Sequence, residues 1–310
     1  LTTMPYFNIA GMLFLVGQVL RGATNVLLTQ FDPLTVLQAV DKYKVTEWYS
    51  AVPMNLAVMA HPDAGKYDMS SLKLNMTTSF VVALDEKISK KWEAFTGGCL
   101  LLEGAYGLSE THTLDTFCPR QKIKYGSMGI PSFNEEFKIV DFDDKSRELP
   151  IGEEGEIVLR NPGSMKGYWN KPEATAATLE DGWVHTGDVG RFDEDGYLYW
   201  LGRRKEMIKV SGFSVFPEEV EALVNQHPAV LENAVIPVPD AKKGEVIKTF
   251  IVLKTEYKDK VTGEEIISWA KNSMSSHKVP KYVEFRDELP KQGVKLLRRI
   301  LRDEEEAKNK

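Results

Sequence analysis

The chain has 310 residues, enough to bury a sizeable core and to form more than one domain. Hydrophobic residues make up 43% of it, charged residues 27%, and the formal net charge is -6. That is the balance of an ordinary soluble globular protein, without the Lys/Arg excess that a nucleic-acid partner calls for.

The most apolar stretch, Ile9 to Leu20, is too short to span a bilayer. It has no basic leader and no small-residue cleavage site, so it reads as a buried helix and not as a signal peptide. Pro33 to Lys44 has helical spacing, and Trp48 to Val52 reads as a strand. Leu84 to Phe95 is helical again, stopped by Gly97-Gly98, and Cys99 to Leu102 reads as the next strand. This alternation predicts a parallel sheet with covering helices. The two cysteines, Cys99 and Cys118, have no metal-ligand spacing and no accompanying His pair. They read as packing residues of a reduced, cytoplasmic protein.

From about Lys122 the character changes. Phe137 to Asp141, Gly155 to Arg160, Val189 to Phe192 and Tyr197 to Leu201 are short strand-like runs, with Asp195-Gly196 as a hairpin turn. A small, barrel-like β-rich subdomain is expected here. Near Arg204 a third region begins. Pro217 opens a helix with acids in its first turn, which stops before Pro228. Strands at Asn233 to Pro237 and Lys248 to Leu253, a helix at Glu264 to Asn272 and a strand at Tyr282 to Phe285 follow, and Asp303 to Lys310 reads as a fraying helix. The predicted class is α/β: a partial N-terminal αβ subdomain over about 1–121, a β-rich part over about 122–203, and a compact, mobile α+β domain over 204–310.

Four stretches carry candidate chemistry, and each has a bland reading. In "EGAYGLSETHT", Glu103 to Thr113, the nucleophile-elbow pattern is not met. A loop at the carboxyl end of a parallel strand is nevertheless where α/β sheets bind ligands. Gly107 lets backbone approach a ligand and Tyr106 offers a ring to a flat one. Ser109 is a donor for a phosphate oxygen, and Glu110 suits Mg²⁺. The alternative is a structural turn with Glu110 in solvent. In "GWVHTGDVG", Asp188 has the geometry to accept from vicinal hydroxyls, as on a ribose, or to cap its own turn. "GRRKEMIKVSGFSVFPEEVE" carries Arg203, Arg204, Lys205 and Lys209, either a solvated linker or a contact to an anion. Ser211-Gly212-Phe213 within it allows close approach to a narrow substrate. In "LPKQGVKLLRRILR", Lys295 is a point charge for a developing anion or an ordinary exposed lysine.

In this order and spacing, the four stretches resemble the adenylate-forming superfamily: acyl-CoA synthetases, luciferases and the adenylation domains of peptide synthetases. Tyr106 to Glu110 is similar to its Y-G-x-T/S-E motif. Gly155-Glu156 through Tyr168 and Pro172 to Thr175 is similar to its G-E…G-Y-x-x-x-P-E-x-T motif. Gly182 to Asp188 is similar to G-W-x-x-T-G-D, and Gly202 to Glu221 to the hinge motif. The resemblance runs from Pro5 to Arg302 and is strongest toward medium- and long-chain fatty acyl-CoA ligases. It implies that ATP and a carboxylic acid form an acyl-adenylate, whose acyl group then passes to CoA. It also implies roles: Tyr106 on adenine with Gly107 beside it, Ser109 on the α-phosphate, Glu110 for Mg²⁺, Asp188 on the ribose with Arg203 nearby. Lys295 bridges carboxylate and α-phosphate, Lys205 is the hinge, and Ser211, Gly212 and Phe213 line the pantetheine tunnel.

The adenine loop of the family stands here as Phe80-Val81-Val82, and Phe80 with Ile9 to Leu20 suggests an apolar acyl pocket. Pro290 lies one residue closer to Lys295 than in the family, with Val294 in place of a glycine, so Lys291 is the fallback lysine. The expected partners are a small carboxylic acid, ATP, Mg²⁺ and CoA, with a homodimer left open. The runners-up are an amino-acid or aryl-acid adenylating enzyme, a luciferase-type oxygenase and a non-catalytic nucleotide-binding module. The family's phosphate loop belongs before Pro5 and is not in the chain. The chain is therefore expected to be N-terminally truncated and, alone, unable to form an acyl-adenylate. ATP–pyrophosphate exchange checks this: none above background is expected from residues 1–310, and robust exchange contradicts it.

Overall fold

A computed structural model describes residues 1–79, 82–292 and 295–308, without the side chains of Gln292 and Lys295. Phe80 and Val81, on which the adenine-loop and acyl-pocket readings fall, lie outside the described residues, as does Val294. The chain forms two compact units, one of Leu1–Ser79 with Ala83–Trp200, the other chiefly of Leu201–Lys310.

In the first unit, α1 (Ile9–Leu20) starts at Asn8, whose side chain accepts from the Ala10 N–H. It is a helix as expected, but it is not buried. Only Gly11 and Gln18 are buried, while Val19 and Leu20 are 64% and 81% exposed. The helix approaches the preceding chain at Gly11, where a Cβ would lie 2.4 Å from the Pro5 carbonyl oxygen, and Phe14 stacks on Tyr49 at 5.5 Å between ring centroids, which leaves much of its apolar surface uncovered. α2 (Pro33–Tyr43) is capped by Asp32 and ends at Lys44 in the left-handed region. β1 (Glu47–Ala51), α3 (Val52–Ala60), β2 (Leu74–Thr78), α4 (Glu86–Thr96) and β3 (Leu100–Glu103) follow. Asp85 caps α4 and left-handed Gly97 ends it. The strands form a parallel sheet in the order β1-β2-β3, as the alternation predicted. α3 and β2 were not legible as separate elements. Trp48 and Trp92, both fully buried, meet at 5.7 Å between ring centroids. Cys99 and Cys118 are buried free thiols; burial pushes Cys99 up to about 11, consistent with packing.

β4 (Thr116–Phe117) and β5 (Ile130–Pro131) make a short antiparallel pair. β6 (Glu136–Val140), β7 (Gly155–Arg160), α5 (Pro172–Thr178), β8 (Leu179–Glu180), β9 (Trp183–Phe192) and β10 (Leu198–Arg203) complete this part. The larger strands form a sheet in the order β10-β9-β7-β6, with β8 beside β9. The sheet is open, so the barrel-like expectation is corrected to an open sheet. Along β10 the chain passes into the second unit.

The second unit contains β11 (Ile208–Val210), β12 (Phe213–Val215), α6 (Pro217–Val224), β13 (Val230–Asp240), β14 (Gly244–Leu253), α7 (Gly263–Ser273), β15 (Tyr282–Phe285), β16 (Lys291–Gln292), β17 (Lys295–Leu296) and α8 (Arg298–Lys308). Its sheet has the order β12-β11-β14-β13, with β15 parallel to β14. Alternation divides the strand residues between two cores. Val235, Ile247 and Ile251 pack with Val220 and Val224 of α6 and Ile266 of α7. Ala234, Ile236, Phe250 and Val252 pack with Leu289, Leu296 and Leu301 of α8. With both faces covered, β14 is a nearly continuous apolar run, as a strand buried on two sides must be.

Candidate active site

The first wall of the site is the segment after β3. Glu103 ends the strand fully buried, accepting from the Ser79 hydroxyl at 2.6 Å and the Ser79 N–H at 3.3 Å. Burial pushes its carboxyl up to about 7. Tyr106 follows, with its N–H donating to Thr116 Oγ1 at 2.8 Å. Its ring is 7% exposed, packed with Ile139, Ile157, Leu159 and Leu198. Its hydroxyl donates to Asp188 Oδ2 at 2.7 Å.

Gly107 is required by close approach. A Cβ there would lie 2.6 Å from Thr113 Cα, because the chain doubles back over it. Ser109, Glu110 and Thr111 form a single tight turn. His112, Thr113 and Leu114 then adopt φ of 66°, 58° and 59°. Three successive side-chain-bearing residues in the left-handed region cost about 1–2 kcal/mol each. The fold holds them by the Thr113 N–H to Leu108 O at 2.9 Å and by Ser132, whose hydroxyl donates to Leu114 O at 2.6 Å. Ser109 is exposed and Glu110 half-buried. Glu110 Oε1 accepts from the Tyr168 hydroxyl at 2.7 Å, and its carbonyl accepts from Met165 N–H at 2.7 Å. The loop and the Gly167-Tyr168 segment, read separately in sequence, thus form one structure.

The second wall is a bulge in β9. Glu156 pairs with Val189 but Val158 with His185, so β9 holds extra residues across that step. Thr186, Gly187 and Asp188 stand opposite Ile157 alone, with Gly187 at φ 68°. The Thr186 hydroxyl donates to Ile157 O at 2.7 Å and accepts from Asp188 N–H at 3.0 Å. Gly187 N–H donates to Glu156 Oε1 at 3.1 Å. Asp188, 2% exposed, is therefore fixed at both backbone and side chain.

Beneath the Glu110 turn lies an acidic cluster that motif reading missed. Asp115 is fully buried. It accepts from the Thr111 hydroxyl at 2.5 Å and from Asn161 Nδ2 at 3.0 Å. The same amide nitrogen lies 3.0 Å from Thr111 O and from both Glu135 oxygens. Two amide hydrogens cannot serve four acceptors, and burial pushes Asp115 up to about 7 and Glu135 upward too. The only sequence signal was an aspartate within an otherwise apolar and Thr-rich run.

The remaining candidates belong to the second unit. Arg203 ends β10 half-buried, and Lys205 is exposed in the short turn Arg204–Glu206. Ser211 (φ 52°) and Gly212 (φ 87°) make the two-residue turn between Val210 and Phe213, a connection that demands positive φ at both positions. Phe213 is 57% exposed and stacks on His277 at 4.6 Å. Lys295 pairs through its backbone with Gln292 in the β16–β17 hairpin; its side chain is outside the described residues. The fallback, Lys291, is ion-paired with Glu232.

The donor set suits Mg²⁺. Tyr168 occupies one oxygen of Glu110, which leaves Oε2 for a cation. Among the described residues no group of three or more His, Cys, Asp or Glu is placed to hold a metal. One carboxylate without a protein cage is the arrangement Mg²⁺ accepts when phosphates and waters supply the other oxygens.

Comparison with known proteins defines the class. The family model for the AMP-binding enzyme matches residues 1–169, and that for the AMP-binding enzyme C-terminal domain matches residues 219–295. The chain belongs to the AMP-binding enzyme family, and the adenylate-forming resemblance read from its motifs is borne out. It is similar to the long-chain-fatty-acid–CoA ligase of Bacillus subtilis strain 168, with 40% identity over 97% of this chain and 53% of the relative. Among solved structures it is similar to an anthranilate CoA ligase in complex with anthranoyl-AMP, at 31% identity and TM-score 0.86, covering 99% of this chain and 58% of that one. It is also similar to O-succinylbenzoate coenzyme A synthetase from Bacillus subtilis in complex with ATP and magnesium ion, at 28% identity and TM-score 0.83, covering 97% and 60%. The chain spans about half the length of the curated relatives it matches. These neighbours carry the same mixed α/β fold.

The buried acid gives a signed pH dependence. Asp115 has its native pKa raised from 3.8 to about 7, so the folded state binds its proton more tightly than the unfolded state. The associated stability is fully present below pH about 4 and is lost as pH rises through about 7. Asp115→Asn is expected to remove this component, on the order of 2 kcal/mol. Urea denaturation at pH 5 and pH 8 checks it: the fall in stability between the two should be smaller in the variant. An equal fall in both proteins contradicts a proton held at Asp115.

Proposed function

We propose that the protein containing this chain is an ATP-dependent acid–CoA ligase that acts through an acyl-adenylate, with a fatty acid as its acid. The observation that carries this reading is the Tyr106–Asp188 hydrogen bond, which joins the Asp188 carboxylate to the segment that leads into the loop Gly107 to Glu110. Similarity to a long-chain-fatty-acid–CoA ligase supports the choice of acid. Similarity to an anthranilate CoA ligase supports an aromatic acid as the second reading.

On this reading each residue has a physical task. Tyr106 donates to Asp188 Oδ2 and orients the carboxylate, which on this reading accepts from the ribose hydroxyls. Because its ring is largely enclosed, Tyr106 works through this bond more than through a stacking face. Ser109, exposed in its turn, donates to an α-phosphate oxygen. Glu110, oriented by Tyr168, holds Mg²⁺, which neutralises phosphate charge when bound. In the first half-reaction an oxygen of the acid forms a bond to the α-phosphorus and the bond to pyrophosphate breaks. Lys295 stabilises the charge concentrated there. In the second, the CoA sulfur bonds to the acyl carbon, AMP departs with the electron pair, and the thiol proton is released. Lys205 serves as the hinge between the two, with Arg203 directed to the nucleotide and Ser211, Gly212 and Phe213 to pantetheine. Among the described residues no helix is long and apolar enough to cross a membrane, compatible with the cytoplasmic location proposed here.

The test uses the complete protein with ATP, Mg²⁺, CoA and a panel of fatty and aromatic acids, detecting thioester and AMP. Fatty acids are expected to give CoA-dependent AMP; no acid doing so overturns the proposal. In the same protein Lys295→Ala should lower adenylation by about 10²–10³-fold and spare thioester formation from supplied acyl-adenylate. Equal loss of both steps contradicts the role given to Lys295.

A further inference from the structure

The second unit contains a buried ion cluster that the proposed chemistry does not use. Arg298 is the first residue of α8, three positions after Lys295, and its side chain is 13% exposed. Its Nε donates to Glu221 Oε1 at 2.9 Å and its Nη2 to Glu221 Oε2 at 2.6 Å, a two-pronged pairing. Its Nη1 donates to Glu206 Oε2 at 2.7 Å and lies 2.8 Å from Glu218 Oε1. All five donor hydrogens of a guanidinium lie in one plane with fixed directions, so these contacts fix position and not merely charge.

The three carboxylates come from parts of the unit with separate tasks. Glu206 closes the turn Arg204–Glu206 that carries Lys205. Glu218 and Glu221 lie on α6. Glu221 is also anchored to the sheet, since its Oε1 accepts from Val235 N–H at 2.8 Å. The turn is further seated at Gly202, where a Cβ would lie 2.7 Å from Phe216 Cδ1 and 2.9 Å from Glu218 Oε2. On the other side, the hairpin bearing Lys295 is pinned at both ends. Leu289 and Leu296 pack in the core under α8, Leu297 N–H donates to Pro290 O at 2.9 Å, and Lys291 pairs with Glu232.

Stability alone does not account for the cluster. Three carboxylates around one guanidinium leave excess negative charge, and burial pushes Glu218 up to about 7. A buried ion group of this kind is commonly no better than apolar packing for stability, whereas it specifies geometry.

We infer that Arg298 is a positioning residue: it ties the turn at Lys205 and helix α6 to the chain directly after Lys295, so that the hinge segment and the lysine hairpin keep one fixed relation. This rests on the adenylation role proposed for Lys295. Arg298→Lys keeps the charge but cannot hold Glu221 in two-pronged fashion while reaching Glu206. Glu206→Ala removes only the arm to the hinge.

The test measures both half-reactions in the complete protein for Arg298→Lys, Glu206→Ala and Lys295→Ala, with thermal unfolding to verify folding. Arg298→Lys is expected to lower the kcat of adenylation by about 10–100-fold, with KM for acid and ATP within about twofold, since small misplacement of a reacting group has effects of this size. Thioester formation from supplied acyl-adenylate should stay within about twofold. Glu206→Ala should act in the same direction by about fivefold, and it decides the matter if Arg298→Lys does not fold. Unchanged adenylation in these variants while Lys295→Ala abolishes it overturns the positioning role alone, as does equal loss of both half-reactions. Unchanged adenylation in Lys295→Ala overturns the lysine assignment and the positioning role with it.

Discussion

A single buried hydrogen bond, from the Tyr106 hydroxyl to Asp188 Oδ2, joins residues 82 positions apart and organises everything around it. One partner sits in the segment that leaves the parallel sheet, the other in a bulge of the antiparallel sheet. A carboxylate that is 2% exposed needs donors to remain in place, and the tyrosine supplies one from within an apolar cluster. The bond therefore does two things. It fastens the β3 loop to the open sheet, and it presents the carboxylate in one orientation. Neither motif has a persuasive function alone; the bond makes them one structure.

The backbone around this bond is under tension that the surrounding contacts resist. Gly107 admits the returning chain at Thr113, and His112, Thr113 and Leu114 all hold left-handed φ. Such strain persists only where neighbours over-determine the conformation, and it gathers at functional segments. Here the result is a rigid turn at Ser109 and Glu110, supported below by Asp115 and Asn161 and at the side by Tyr168. The adenylation proposed above brings polyanions together, and donors and acceptors set in advance keep reorganisation at the moment of reaction small.

Much of this was legible in the sequence, for identifiable reasons. Helical spacing marked α2 and Gly97-Gly98 marked the end of α4, and both helices lie within a residue or two of expectation. Tyr106, Ser109, Glu110 and Asp188 were singled out because short motifs recur in a fixed order. What escaped depended on contacts distant in sequence. The Asp115 cluster needs Thr111, Glu135 and Asn161 to converge, and no spacing announces that. The left-handed run contains no glycine or asparagine to mark it. The exposure of α1 could not be read from a nearly all-apolar string, because it depends on which elements pack against the helix. The open sheet was mistaken for a barrel-like one because strand count and alternation are the same for both; closure is a property of edge pairing.

The central claim is that Tyr106 acts by holding Asp188 for the ribose. Its most direct test is the dissociation constant of AMP, measured by calorimetry in the complete protein for Tyr106→Phe, Asp188→Ala and the double variant. The expected result is about tenfold weaker binding in Tyr106→Phe, equivalent to about 1.4 kcal/mol, and no added loss when Tyr106→Phe is combined with Asp188→Ala. Binding unchanged in Tyr106→Phe, or equal losses in both backgrounds, contradicts the claim.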